Sequence, residues 1–247
     1  MEKAHLHVQF LGMTVDLTVI AMSLLVSIIV ALLALAAVKH LDMRHPRGMQ
    51  NFFEWLTDFI KGLAKDTIGE RAETYVPLGL TLIIWMFVSN QMGLITNIVT
   101  KSETGLPQFG VEPGQEIAWF MSPTANISVA MAMGIAMVLY SHGVGLRKPG
   151  QYLKHYVSPA WMLPIHLIEE LPKFLTLGLR LFGNIFAGEV LIAIILQIPI
   201  LGGWFPVGAI PMFIWLAYSL FVGTIQAFVF TVLTLVYIGQ KVPHENH

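Results

Sequence analysis

The sequence predicts an all-α integral membrane protein with five transmembrane helices and one amphipathic surface helix, the last two spans forming a long, steeply tilted hairpin. Three observations lead there. Hydrophobic residues make up 55% of the 247-residue chain and charged residues only 12%, where a soluble domain carries about a quarter charged residues. The apolar residues fall in blocks of the length a helix needs to cross a bilayer, about 20 residues. Basic residues gather in the loops on one side of those blocks, while the 101–116 loop on the other side holds a single lysine. The whole chain, 1–247, reads as a single membrane domain. A net charge of −1 leaves no basic field for nucleic acid, and zero cysteines exclude a disulfide framework, a thiolate metal site or a redox role.

The first span is residues 17–38. Ala34-Leu35-Ala36 resembles a signal-peptide cleavage site. However, Glu2 and Asp16 stand against Lys3 ahead of the apolar run, and Lys39, Arg44 and Arg47 follow it like a stop-transfer, so the span is expected to stay in the mature protein. Residues 49–74 change character. Phe52, Leu56, Phe59, Ile60 and Leu63 recur at helical spacing, while Glu54, Asp58, Lys61, Lys65 and Asp66 take the other side. With Trp55 suited to an interface, this is an amphipathic helix lying on the membrane surface or against a partner subunit.

The second span covers residues 77–99 and buries Asn90 and Gln91. A polar loop follows with Glu103, Glu112 and Glu116 against one lysine, and then the third span, 117–140, which includes Asn126. After a basic loop with Arg147, Lys148 and Lys154 come the two longest helices, 160–201 and 205–239, joined at Gly202-Gly203 and Pro206. The positive-inside rule puts the loops bearing Lys39, Arg44, Arg47, Arg147, Lys148 and Lys154 in the cytoplasm. Five spans then give an outside N-terminus and a cytoplasmic C-terminus. The apolar blocks 171–201 and 205–238 would be roughly 46 and 51 Å long as helices. Against a hydrocarbon core of about 30 Å, such lengths imply steep tilt.

The chemistry concentrates in residues 177–189, where Arg180, Asn184 and Glu189 interrupt an otherwise apolar run. A charge at bilayer depth costs about 2.5–3.5 kcal/mol on insertion scales, so these groups need a use or partners. At about 100° per residue, Thr176 and Asn184 share the face of Arg180, as do Lys173 and Glu169, while Glu170 lies a quarter-turn away and Glu189 points to the opposite side. In the last helix, Ser219 and Gln226 lie two turns apart on one side, with Tyr237 beyond. The pattern reads as two polar half-paths from opposite membrane surfaces, separated by a fixed cation. Arginine suits that separator because its guanidinium keeps its proton at any accessible pH, so it cannot become a neutral proton relay. It would force an approaching carboxylic acid to ionise, and the answering acid could belong to another subunit. Two plainer readings stand beside this one. Arg180 could pair with Glu189 or Glu170 for assembly, and Asn184 and Gln226 could be interhelical hydrogen-bond glue. Asn90 and Gln91 read first as structural, and His142 and His166 as bland boundary residues.

Leu179-Arg180-Leu181-Phe182-Gly183-Asn184 with Ala187-Gly188-Glu189, followed by Gln226-Ala227-Phe228-Val229-Phe230 and Tyr237, resembles the subunit a family of F-type ATP synthases in its bacterial form. The resemblance implies the stator half of a rotary proton motor in the bacterial plasma membrane, without a catalytic site, cofactor or metal of its own. Its implied partners are the c-subunit ring, the b subunits of the peripheral stalk, the rest of the synthase and membrane lipid, with no nucleic acid. Arg180 would face the ring carboxylates. An outer half-channel would pass Glu189, with Asn90, Ser219 and Gln226 as lining and Asn184 near the arginine. A cytoplasmic one would pass Glu169, Glu170, Lys173 and Thr176. Two departures stand out. Some members carry a histidine where Ser219 stands and an aspartate where Gly93 stands, so water must bridge the outer relay here.

The rival class is an independent ion-coupled secondary transporter, but internal repeats and broken mid-membrane helices are missing. A membrane metalloenzyme is weaker still. His244-Glu245-Asn246-His247 is one residue short of a zinc motif, and paired mid-span histidines for haem are lacking. The choice between proton and sodium rests largely with the ring.

Overall fold

A computed structural model describes residues 6–10, 12–39, 41–42, 44–95, 99–101, 103–150, 152, 163–196 and 208–242. Lys154, the Gly202-Gly203-Pro206 turn, the 244–247 tail and the side chain of His166 lie outside the described residues.

Helix α1 (Leu17–Val38) starts where Asp16 accepts a hydrogen bond from the Val19 amide at 3.1 Å, an N-cap that satisfies one of the free donors of the first turn. It is apolar all round, yet Leu24, Ile28, Leu32 and Leu35 are exposed. An apolar helix with an uncovered apolar face belongs at the lipid boundary of a bundle. Trp85 ties it to the next span by donating to the Ser27 hydroxyl at 3.1 Å.

Helix α2 (Met49–Ile68) buries Leu56, Ile60, Ala64 and Ile68 and leaves Phe52, Trp55 and Phe59 exposed, the last two stacked at 5.9 Å. It ends at Gly69, whose φ of 79° only glycine adopts cheaply. The final turn of the expected amphipathic segment is a 3-10 helix, Gly69–Tyr75, which redirects the chain into α3 (Val76–Ile95).

The expected third span, 117–140, begins too early. Glu116–Ala118 is a strand (β4) that pairs antiparallel with Val99–Lys101 (β3), and Pro123–Ala125 is a 3-10 turn. Helix α4 (Ile127–Gly145) starts only after Asn126, whose side chain caps it by accepting from the Ser128 amide at 2.9 Å. Proline without an N–H and an asparagine cap both mark a helix start, and they override the apolar composition before them. A second hairpin, β1 (His7–Phe10) with β2 (Met13–Asp16), turns at Gly12. It packs near the 3-10 turn at Pro107–Phe109, so both hairpins share one end of the bundle, the hairpin end.

The last two helices are α5 (Leu163–Ile195) and α6 (Ala209–Lys241), 33 residues each and continuous. The helix expected over 160–201 stops at Ile195 with Leu196 in a turn, and the one expected over 205–239 starts at Ala209 and reaches Lys241. Among the described residues, five helical stretches are long and apolar enough to cross a membrane, α3 supplying the second as part of the run from Met49 to Gly93. The protein is thus an all-α membrane bundle, with two short hairpins added at one end.

Helix α3 packs along α6, and α4 packs along α5. The α4–α5 crossing is tight because both helices present glycine. A Cβ at Gly134 would stand 2.9 Å from the Phe174 carbonyl oxygen and 3.2 Å from the Gly178 nitrogen. Small residues at such crossings let backbones approach where lipid provides no hydrophobic drive. One core cluster, built around Met86, Leu177, Leu181 and Phe230, lies under the middle of α5. A second, built around Ile60, Ala64, Leu235 and Ile238, joins α2 to the end of α6.

Candidate functional site

The middle of α5 has two unlike sides. Leu177, Leu181, Ile185 and Ile192 are buried against α4 and α6, whereas Thr176, Leu179, Arg180, Gly183, Asn184 and Ala187 are exposed. Arg180 therefore stands on the uncovered arc, followed one turn on by Gly183 and two turns on by Ala187, both small. Its guanidinium makes no hydrogen bond or ion pair among the described residues. It does not pair with Glu189 or Glu170, so the assembly-pair reading fails.

Asn184 lies beside Arg180 and turns toward α6, where its amide donates to the Gln226 side-chain oxygen at 3.1 Å. Gln226 is buried, and its Nε2 has no partner. The Ser219 hydroxyl is likewise buried without a partner. Ser219 and Asn184 line the same cavity of about 120 Å³, together with Gly188, Trp215 and Tyr218. Buried polar atoms are nearly always satisfied by protein or water. Two orphaned polar groups in and beside a cavity with room for several waters make the space between α5 and α6 one that water would fill.

Glu189 points away from Arg180, into the contact with α3 and the turn before α4. Its Oε1 accepts from the Ser122 backbone amide at 3.0 Å. From there a fully buried polar chain runs toward α6. Ser122 Oγ lies 2.6 Å from Thr124 Oγ1 and 2.7 Å from the Ser89 carbonyl oxygen, Thr124 Oγ1 donates to Asn90 Oδ1 at 2.8 Å, and Asn90 Nδ2 donates to the Gly223 carbonyl at 3.0 Å. The Gly223 contact fixes the Asn90 amide with its oxygen toward Thr124. Ser122 and Thr124 then hold two hydroxyl protons for three contacts, so the pair has alternative donor arrangements. Gln91 donates to the Leu220 carbonyl at 3.2 Å, next to Gly223, whose missing side chain makes room for it.

At the other end of the bundle, the basic end, Glu170 is a hub. It accepts from Lys173 at 2.9 Å and from Lys241, and His142 Nε2 lies 3.4 Å from its second oxygen. Lys173 also donates to Gln240 at 3.2 Å and sits over the Tyr237 ring at 5.6 Å. His142 contacts Tyr152 through Nδ1. Thr176 bonds the Pro172 and Lys173 carbonyls of its own helix, and Glu169 is exposed beside the hub.

The sequence-predicted residues thus form three groups. Glu189 and Asn90 share a polar chain on the hairpin-end side, and Asn184, Gln226 and Ser219 border the cavity near Arg180. Glu169, Glu170, Lys173 and Thr176 sit at the basic end. Sequence reasoning missed Ser122, Thr124, Ser89, Lys241 and the involvement of His142. The Ser-Pro-Thr run of a helix start was the available signal for the first two. Among the described residues there is no cluster of side chains able to hold a metal ion.

Comparison with known proteins finds matches along nearly the whole chain. The sequence model of the family described as ATP synthase A chain matches residues 20–239. The chain is 38% identical to ATP synthase subunit a of Bacillus subtilis (strain 168) over 252 residues, covering 97% of each chain. It is also 38% identical to the protein of the same name in Priestia megaterium, again over 97% of each. With ATP synthase subunit a of Staphylococcus aureus (strain JH9) it shares 38% over 94% of this chain and 92% of the other.

Proposed function

The chain belongs to the ATP synthase A chain family, and from that premise we propose that it is the proton-conducting stator subunit of a rotary F-type ATP synthase. It acts as one membrane domain in a bacterial plasma membrane, N-terminus outside and C-terminus in the cytoplasm, with α5 and α6 steeply inclined. Its partners are the c-subunit ring, the b subunits of the peripheral stalk and the rest of the synthase. It has no catalytic site of its own.

In this reading, the hairpin end faces outward and the basic end faces the cytoplasm. A proton arriving from outside passes the Glu189 carboxylate and the polar chain through Asn90, then the hydrated space bordered by Ser219, Gln226 and Asn184. There it neutralises a carboxylate on the ring, which can then turn into lipid because a neutral acid escapes the cost of burying charge. Near the end of a rotation the same acid meets the basic-end side of Arg180. The fixed positive charge favours its ionised form, and the proton leaves past Thr176, Lys173, Glu170 and Glu169. Arg180 lies between the two groups of polar residues, so a proton cannot cross without riding the ring. Gly183 and Ala187 keep the arc beside it low enough for a neighbouring helix to approach. The driving term is about 2.3 kcal/mol per charge per 100 mV of membrane potential.

The observation that carries this reading is the Arg180 guanidinium, exposed in the middle of a 33-residue apolar helix with no acid of the described residues to answer it. At bilayer depth such a charge is retained for a partner. The test is Arg180→Ala in membrane vesicles holding the assembled complex. Proton-driven ATP synthesis should be abolished while the subunit content stays that of the wild type. Synthesis at the wild-type rate would remove the reading.

A further inference from the structure

Gly93 sits in the last turns of α3, opposite Glu189 of α5. A Cβ built on it would fall on the Glu189 Oε1 atom, 2.7 Å from the Ser122 nitrogen and 2.8 Å from the Ser122 Cβ. Two of these three neighbours cannot yield by rotating a side chain. The Ser122 nitrogen is backbone, and the Ser122 Cβ is fixed by it. Ser122 is fully buried, and its hydroxyl is held between the Ser89 carbonyl and Thr124. The space that a side chain at 93 would occupy is therefore the space in which the Glu189 carboxylate receives the Ser122 N–H.

We propose that Gly93 and the Ser122 backbone amide form a seat for the Glu189 carboxylate, and that both are positioning residues of the outer proton path. The inference rests on the stator reading above. Gly93 acts by absence, leaving open the one slot that brings the acid to the amide. Ser122 acts through its N–H, which fixes one carboxylate oxygen and places the acid at the head of the Thr124–Asn90 chain. The departure at Gly93 noted in the sequence then has a physical meaning. In this chain the glutamate of α5 fills the volume that a side chain on α3 would take.

The test uses the assembled complex in inverted membrane vesicles, with ATP-driven proton uptake as the readout and subunit content as the measure of assembly. Gly93→Ala should lower uptake about tenfold or more, since a carboxylate displaced by about 1 Å is enough to misplace a proton-transfer group. Glu189→Asp, shorter by one methylene, should lower uptake when residue 93 is glycine, because the acid no longer reaches the amide. In the Gly93→Ala background the acid is already displaced from the amide, so the same change should lower uptake little further. That non-additivity is what two independent packing defects do not produce. Wild-type uptake in Gly93→Ala, or Glu189→Asp lowering uptake by the same factor in both backgrounds, overturns the seat. If Gly93→Ala prevents assembly, the amide decides. Ser122 has φ −68° and ψ 125°, which proline accepts. Ser122→Pro removes the N–H and should cost far more uptake than Ser122→Ala, which keeps it, and equal uptake in the two overturns the proposal. Arg180→Ala in the same vesicles separates the two claims. If that variant pumps normally, the stator reading fails, whereas a dead Arg180→Ala beside a fully active Gly93→Ala sinks the seat alone.

Discussion

Replacing Gly134 with alanine should move Arg180 without touching it. A Cβ at 134 would lie 2.9 Å from the Phe174 oxygen, 3.2 Å from the Gly178 nitrogen and 3.4 Å from the Gly178 Cα. All three are backbone atoms of α5, so no rotamer change relieves the contact. With ordinary contact beginning near 3.5 Å, α5 must retreat from α4 by roughly half an ångström. Overpacking of that kind costs about 1–3 kcal/mol. Gly178 is two residues before Arg180, so the guanidinium is carried with the helix. Misplacement by about 1 Å can cost on the order of a hundredfold in rate, and half of that displacement suggests roughly tenfold. The assay is proton uptake per assembled complex, with thermal denaturation of the purified complex alongside. Gly143→Ala on the same helix is the control. A Cβ there meets nothing within 4 Å, and alanine favours the helix by about 1 kcal/mol. If Gly134→Ala matches the wild type in both measurements, or if Gly143→Ala loses as much, the argument that the α4–α5 crossing positions Arg180 is wrong.

Three further outcomes follow from other contacts. Glu170→Ala strips the acid from Lys173 and Lys241 at a site where the Lys241 side chain is 5% exposed. Removing one member of a buried charge cluster costs about 3–5 kcal/mol, so the complex should denature at clearly lower temperature, with Glu170→Gln intermediate, and an unchanged transition would contradict the hub. A double-mutant cycle on Asn184→Ala and Gln226→Ala should give a coupling of about 0.6 kcal/mol, the ordinary value for an interhelical hydrogen bond in a membrane, and strict additivity would mean that the 3.1 Å contact contributes nothing. Gly183→Leu has open space within this chain, so the subunit should accumulate and assemble normally, yet uptake should fall if, as proposed, the ring approaches there. Normal uptake in Gly183→Leu would place the ring elsewhere.

The fold class was legible because a bilayer imposes one pattern, apolar blocks of about 20 residues, and composition alone reveals them. What failed was local. The third span was expected from residue 117 because Ile117, Ala118, Trp119 and Phe120 are apolar. Those residues instead belong to a hairpin strand and its exit, and the Ser122-Pro123-Thr124 turn and Asn126 cap mark the true start. The same misreading hid the hydroxyls, since inside a helix they would have bonded their own backbone, as Thr231 and Thr234 do. On α5 the angular spacing separated Arg180 from Glu189 correctly, because a single continuous helix carries both. Lys241 could not be tied to Glu170 in advance. Their contact spans 71 residues and depends on how α5 and α6 pack, which helical periodicity does not encode.

The most direct measurement exploits a chain that contains no cysteine, so any introduced thiol is unique. Single cysteines at Thr176, Gly183 and Ala187, on the exposed arc with Arg180, and at Leu177, Leu181 and Ile185, on the buried side, would be oxidised in the assembled complex against a ring subunit carrying one cysteine beside its carboxylate. Crosslinks should form from the exposed set and not from the buried set. Crosslinks from neither set, or from the buried set alone, would mean that the guanidinium does not face a moving acid.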